Sequence, residues 1–268
     1  MSYPVSPQLN DKGRRIINMW EIYDELINAI PEDLTVTEYM IGLHWTVVCS
    51  EKGIGLAKTV KGGKTGEELR YIAGMPIKKL ASYVKSWNML NASLGLAAIN
   101  STLNTPEKVW EITEPNDYGK DEVNVGEPNV FANNDISQTY NKVAFVGHIP
   151  KLEELKNMCE LSILDRNPRP GDYPDSACEF ILPEQDLIYI TGTAFINKTM
   201  PRLLELSRHA KLILLGPSVP MSPILFRYGV DAIAGMIVAN KELVWQTVQE
   251  GGNKNIYENG GQRVYISR

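Results

Sequence analysis

Four short segments in the second half of the chain carry the side chains best able to do chemistry. Gly147-His148-Ile149-Pro150 sets an imidazole just after an apolar run. Among unperturbed side chains, an imidazole titrates closest to neutral pH, so His148 is the candidate acid or base. Asp165 ends the next apolar run, where dinucleotide and nucleoside binders hold ribose hydroxyls on a carboxylate. Thr191-Gly192-Thr193, with Asn197 shortly after, gathers neutral donors and acceptors at one rim. Thr199 fits better as a helix cap ahead of Pro201. Gly216-Pro217-Ser218-Val219-Pro220 is a stiff loop, and such loops suit preorganised sites. Gly216 lets the backbone pass close to a neighbour, and Ser218 offers a hydroxyl. The candidate ligand contacts here are Gly147, Asp165, Thr191, Gly192, Thr193, Asn197, Gly216 and Ser218.

Other familiar chemistry is missing. No GxGxxG follows any apolar run, which disfavours a standard pyrophosphate site. The Gly63-Lys64-Thr65 stretch has Lys58 where a phosphate loop needs glycine, so it reads as a surface turn. The three histidines, His44, His148 and His209, lack HExxH or HxH spacing. Cys49, Cys159 and Cys178 are too far apart for a CxxC zinc site and too few for a disulfide framework. His44 and Cys49 are read in one strand, on opposite faces. No GxSxG nucleophile elbow is present.

The elements that would position these residues fall into two patterns. Ile16, Trp20, Tyr23, Ile27 and Ile30 recur at steps of three and four and predict a helix ended by Pro31. Residues 35–50 are β-branched and aromatic and predict one strand. Gly53 and Gly55 punctuate a turn into a second strand over 54–60. Residues 76–83 and 89–103 predict helices, the second lined by Ala92, Ser93, Gly95, Ala97 and Ala98. Small side chains there let another backbone come close, which places this helix in the core. The first part is therefore α+β. Residues 104–140 hold prolines and many polar side chains and predict a connecting segment with one short strand, partly tied down over a site. From Lys142 the pattern becomes regular. Apolar runs at 142–147, 161–165, 187–191, 211–215, 232–238 and 263–266 alternate with amphipathic stretches at 151–160, 201–209, 222–228 and 241–249. That alternation predicts a mostly parallel sheet covered on both faces.

Composition narrows the function classes. The 268 residues are 43% hydrophobic and 22% charged, as in a globular protein with a real core. The net charge of -5 argues against a general nucleic-acid binder. No apolar run is long enough to span a membrane, and no signal peptide is read. A cytoplasmic protein with a small-molecule ligand is expected, without nucleic acid or membrane as partner. A homo-oligomer is compatible with the sequence.

Taken together, these motifs resemble the heavy-metal chelation family. The resemblance rests on Gly42-Leu43-His44-Trp45, Gly53-Ile54-Gly55, Ser86-Trp87-Asn88 and residues 95–100 in the first half. In the second it rests on Gly147-His148-Ile149-Pro150, Asp165, Thr191-Gly192-Thr193, residues 196–199 and residues 216–220. It implies an enolase N-terminal-like α+β domain over 1–105 and a Rossmann-like doubly wound domain over 106–268, with 106–140 as connector. It also implies a cleft between the two and a link to metal-chelating small molecules. On that reading, Asn88 and Asn100 close the cleft from the first domain, with Glu38 as a further carboxylate. The expected function is a small-molecule enzyme or enzyme-like binder acting on a polar heterocyclic or nucleoside-like compound. Condensation, hydrolysis and methyl transfer stay open. A divalent metal or a nucleoside-type cofactor would serve it. The alternative is a non-catalytic metal or metal-chelate binding protein.

Overall fold

The computed structural model describes residues 18–65, 69–113, 122–125, 139–149, 152, 155 and 158–268. Helix α1 (Glu21–Asn28) buries Ile22, Tyr23, Leu26 and Ile27; of the expected face it carries Tyr23 and Ile27, while Trp20 sits at its N-cap and Ile30 is buried just beyond its end. Ile16 lies outside the described residues. Three antiparallel strands follow in spatial order: β1 (Val36–Ile41), β2 (Trp45–Ser50) and β3 (Ile54–Lys58). The expected single strand over 35–50 is thus two strands. The chain turns at Gly42-Leu43-His44, where Gly42 N–H donates to Trp45 O at 2.9 Å. A side chain at Gly42 would meet Val248 Cγ1 at 2.6 Å, so this turn packs against the second half of the chain. His44 consequently sits in a turn, not on a strand shared with Cys49.

Helices α2 (Ile77–Ser82) and α3 (Met89–Leu103) complete the first half, and α4 (Pro106–Thr113) leads out of it. Every residue of α3 from Asn91 to Leu103 is buried. The small-residue helix is therefore core. In the connecting segment, β4 (Glu122–Val125) is the short strand. It pairs with the last strand at the outer edge of the large sheet. The expectation that this segment covers a site finds no support in the part that is described.

The second half contains β5 (Lys142–Val146), β6 (Glu160–Asp165), β7 (Tyr173–Pro174), α5 (Cys178–Ile181), β8 (Leu187–Thr191), α6 (Thr193–Ile196) and α7 (Met200–Leu206). It ends with β9 (Lys211–Leu215), β10 (Ala232–Val238), α8 (Lys241–Gln249) and β11 (Gly261–Ser267). The spatial order is β4-β11-β10-β9-β8-β5-β6-β7. Strands β10 through β7 run parallel, whereas β11 and β4 are antiparallel additions. The helix expected over 151–160 lies largely outside the described residues. Residues 222–228 form a 3-10 turn, Pro223–Tyr228, capped by the Ser222 side chain. Among the described residues no helix is long and apolar enough to cross a membrane.

One apolar core runs through both halves, joining Leu26, Leu94 and Ile99 to Ile190, Phe195 and Leu214. The opposite face of the sheet is filled by a stacked Phe145–Tyr189 pair, with ring centroids 4.4 Å apart. The β2–β3 hairpin packs Trp45, Val47 and Leu56 on Met236, Val244 and Val248. The first half therefore sits on the β9–β10 side of the sheet.

Candidate functional site

In a doubly wound sheet, ligands bind beyond the carboxyl ends of the strands, where successive connections leave in opposite directions. Here β5 lies between β8 and β6, so that point falls between β5 and β8. Gly147 and Thr191 occupy it. Gly147 has φ +101°, and a Cβ there would meet Thr191 Oγ1 at 2.5 Å. Glycine is required both for the turn and for the threonine beside it.

His148 follows at once. Its backbone N–H donates to Asp165 Oδ2 at 3.0 Å. Its ring Nδ1 lies 3.2 Å from Asp172 Oδ2. A carboxylate can only accept, so Nδ1 is the donor, and in the neutral ring the lone pair falls on Nε2. The His148 side chain is 18% exposed and that of Asp172 5%. Asp172 is fixed in turn by the Arg169 N–H, which donates to the same Oδ2 at 3.0 Å. Asp165 accepts a second backbone donor, the Asn167 N–H, at 2.8 Å on Oδ1. It thus ties the β5 and β6 turns together, which counts against a free ribose contact.

The other expected contacts divide. Thr193 opens α6, half-buried near the same rim. Asn197 turns inward on its own loop, its Oδ1 accepting from the Thr199 N–H and hydroxyl. Thr199 precedes α7, but its side chain makes no cap bond. Gly192 is buried because the Ser218–Val219 backbone crosses it; a Cβ would meet Val219 N at 2.6 Å. Gly216 adopts φ +102° at the end of β9.

Two side chains expected to face a cleft are buried against backbone groups instead. Ser218 is 3% exposed and accepts the Lys58 N–H at 2.9 Å. Asn100 is fully buried and donates to Leu56 O and Ser218 O at 2.8 and 3.2 Å. Both seal the joint between the halves, because each faces backbone groups that would otherwise lack a partner. Asn88 caps α3, accepting from Leu90 and Asn91 N–H. Glu38 pairs with Lys241 on the surface, at the β10 end of the rim. The structure thus brings Gly147, His148, Asp165 and Thr191 together at the rim, with Thr193 beside them and Asp165 holding the turns rather than offered to a ligand.

Two residues that sequence reasoning passed over matter here. Asp172 lies in the crossover after β6, where no periodicity marked it. Lys198 stands in the left-handed region with φ +66°, unusual for a lysine. Its ammonium donates to Ile196 O at 2.7 Å and to Ser86 O, and sits 5.7 Å from the Trp87 ring centroid. Burial pushes it down to about 8 from the usual 10.5. Between those values the unfolded chain binds a proton that the folded chain has released. The penalty for burying the ammonium is fully felt below pH 8 and lifts as the pH rises toward 10.5. Wild type should therefore gain on Lys198→Gln between pH 7.5 and pH 10, read from urea midpoints. A constant gap would refute this.

Comparison with known proteins agrees with the fold. The DUF364 family pattern, described as "Putative heavy-metal chelation", matches residues 130–267. The chain belongs to the DUF364 family. A second pattern with the same description, DUF4213, matches residues 23–103. A DUF364 protein of unknown function from Desulfitobacterium hafniense is 38% identical and superposes with a TM-score of 0.81, covering 93% of this chain and 99% of that one. A DUF364 protein of Pyrococcus horikoshii, 21% identical, shares the fold with a TM-score of 0.76 over 94% of this chain and all of its own. An uncharacterized protein of Methanocaldococcus jannaschii is 28% identical over 244 residues, covering 84% of this chain and 89% of its own. The mixed architecture, a large mostly parallel sheet beside a small antiparallel one, is thus the DUF364 architecture.

The family description raises the question of metal. Among the described residues no group of three or more His, Cys, Asp or Glu side chains could hold an ion. Burial pushes the Cys49 thiol up to about 11 and the Cys178 thiol up to about 12, so neither is a ready thiolate ligand. The described DUF364 residues do not fit a metal held by protein side chains alone.

Proposed function

We propose that this DUF364 chain is a small-molecule enzyme or enzyme-like binder whose site is the rim formed by β5, β6 and β8. The observation that carries this reading is the His148–Asp172 pair beside Gly147 and Thr191, at the switch point of the sheet. Asp172 orients the ring by accepting from Nδ1. His148 Nε2 then takes a proton from a bound molecule and can return it. Thr191 and Thr193 offer neutral hydrogen bonds to the same molecule. The family description connects the ligand with heavy-metal chelation, and the neutral hydrogen-bonding groups of the rim suit a polar, heterocyclic or nucleoside-like compound. With no three-donor cluster among the described residues, such a compound would bring the metal donors itself.

Thermal shifts of the native chain test this against divalent metals, S-adenosyl compounds and pterin-like or flavin-like heterocycles. A ligand at a hundredfold its Kd adds about 2.7 kcal/mol of stability. For a chain of this size that raises the midpoint by roughly 5–10 °C. His148→Asn should remove more than half of the shift while moving the unliganded midpoint little. A heterocycle shift unchanged by both His148→Asn and Asp172→Asn would sink the assignment. A shift with metals alone would move the reading to non-catalytic metal binding.

A further inference from the structure

We propose that Lys198 is a reactive amine, a site at which this chain forms an imine with a small aldehyde or ketone. Lys198 follows α6 on the loop beyond β8, and its test reads amine alkylation rather than ligand binding, so this assignment and that of His148–Asp172 can fail independently. Its geometry is that of a held nucleophile. Lys198 stands at the apex of a rigid turn, flanked by the Asn197 side chain bonded to Thr199. The lysine pays for that position with a left-handed backbone, and strain of this kind collects where a side chain must be aimed. The amine is then fixed by two carbonyl oxygens from different halves of the protein, Ile196 O and Ser86 O. A neutral amine has two N–H groups and one lone pair. Both N–H groups are directed to carbonyls, so the lone pair is left for an incoming electrophile.

The surroundings suit an apolar or aromatic carbonyl compound. Trp87, whose ring lies alongside the amine, is 55% exposed. Its turn is anchored by the Gly-rich segment, with Lys64 N–H donating to Trp87 O and Met89 N–H to Gly62 O at 2.9 and 3.0 Å. Gly63 is closely fitted there, since a Cβ would meet Trp87 O at 2.1 Å. The Gly63-Lys64-Thr65 stretch, no phosphate loop, thus holds the backbone that carries Trp87. In the reaction the nitrogen lone pair attacks the carbonyl carbon and the C–N bond forms. The carbinolamine then loses its oxygen as water, which takes up both amine protons. Protonation of the resulting imine restores one N–H, and either carbonyl can accept it. Burial leaves part of the amine neutral near pH 7.5, which favours the first step.

The native chain, treated with benzaldehyde and cyanoborohydride at pH 7.5 and mapped by peptide mass spectrometry, tests this. The neutral fraction of an amine titrating at 8 is about a quarter at that pH, against about one in a thousand for an ordinary lysine. Lower intrinsic nucleophilicity and restricted access offset part of this. At pH 7.5 Lys198 should therefore be alkylated about tenfold or more faster than exposed Lys52 and Lys79, and that ratio should shrink as the pH rises toward 10. The adduct should disappear from the corresponding peptide in Lys198→Arg. Alkylation of Lys198 no faster than that of Lys52 and Lys79 at pH 7.5, or a ratio that does not change with pH, overturns the proposal.

Discussion

Gly55→Ala should be among the most damaging single-methyl changes in this protein, lowering stability by about 3 kcal/mol or more. Gly55 sits in β3 where α3 crosses it. A Cβ there would lie 2.1 Å from both Ala97 O and Ser101 N, and 2.5 Å from Asn100 C. All three are backbone atoms of a helix that is buried along nearly its whole length. No rotamer change relieves such a clash, so α3 must move. Moving it disturbs the Asn100 bonds to Leu56 O and Ser218 O, and with them the joint between the halves. Gly62→Ala is the matched control. Its φ is +99° but nothing lies within 4 Å of the added methyl, so it should cost only about 1 kcal/mol of backbone strain. Urea unfolding followed by circular dichroism compares the two. A Gly55→Ala midpoint as close to wild type as that of Gly62→Ala would show that β3 and α3 are not in rigid contact.

The same helix shows what a sequence of this kind reveals and what it hides. The parallel strands β5, β6, β8, β9 and β10 are legible because burial makes each a continuous apolar run, whereas β7, two exposed residues in the crossover after β6, is not. Helix α8 is legible because Asn240 caps it and its apolar positions recur at helical spacing. The break at Gly42-Leu43-His44 is not, since β-branched and aromatic residues flank it on both sides. The tertiary contact of Gly42 with Val248 gives that turn its place, and no local pattern encodes such a contact. The site divides in the same way. His148, Gly147 and Thr191 stand at strand ends, so fold logic finds them. Asp172 reaches His148 from a crossover without periodicity. Asn100 and Ser218 are polar residues in suggestive places, yet their partners are main-chain groups far away in sequence. A polar side chain in an apolar helix announces that something polar faces it, without saying whether that is a ligand or a backbone.

Asn104 extends that argument to a second large effect. It ends α3, is 3% exposed, and satisfies three main-chain groups of the second half. Its Nδ2 donates to Val219 O at 2.9 Å and Met236 O at 3.3 Å, and its Oδ1 accepts the Met221 N–H at 2.8 Å. Asn104→Ala strands all three where the surrounding side chains are apolar. Each buried, unsatisfied group costs about 1–3 kcal/mol, so a total loss of roughly 3–5 kcal/mol is expected. For a chain of this length that corresponds to a melting midpoint about 10 °C lower. Asn88→Ala, which removes an N-cap at the other end of the same helix, should cost only about 1 kcal/mol. Asn104→Asp separates hydrogen bonding from volume. It keeps the shape and the acceptor but places a carboxylate against two carbonyl oxygens, so it should be at least as damaging as alanine. If aspartate were tolerated, the residue would be filling space, and the tie between α3 and the loop after β9 would have to lie elsewhere. If both substitutions fail together, that loop is held by Asn104. The backbone of Ser218 and Val219 across Gly192, next to the Thr191 rim, is then fixed from the first half of the chain.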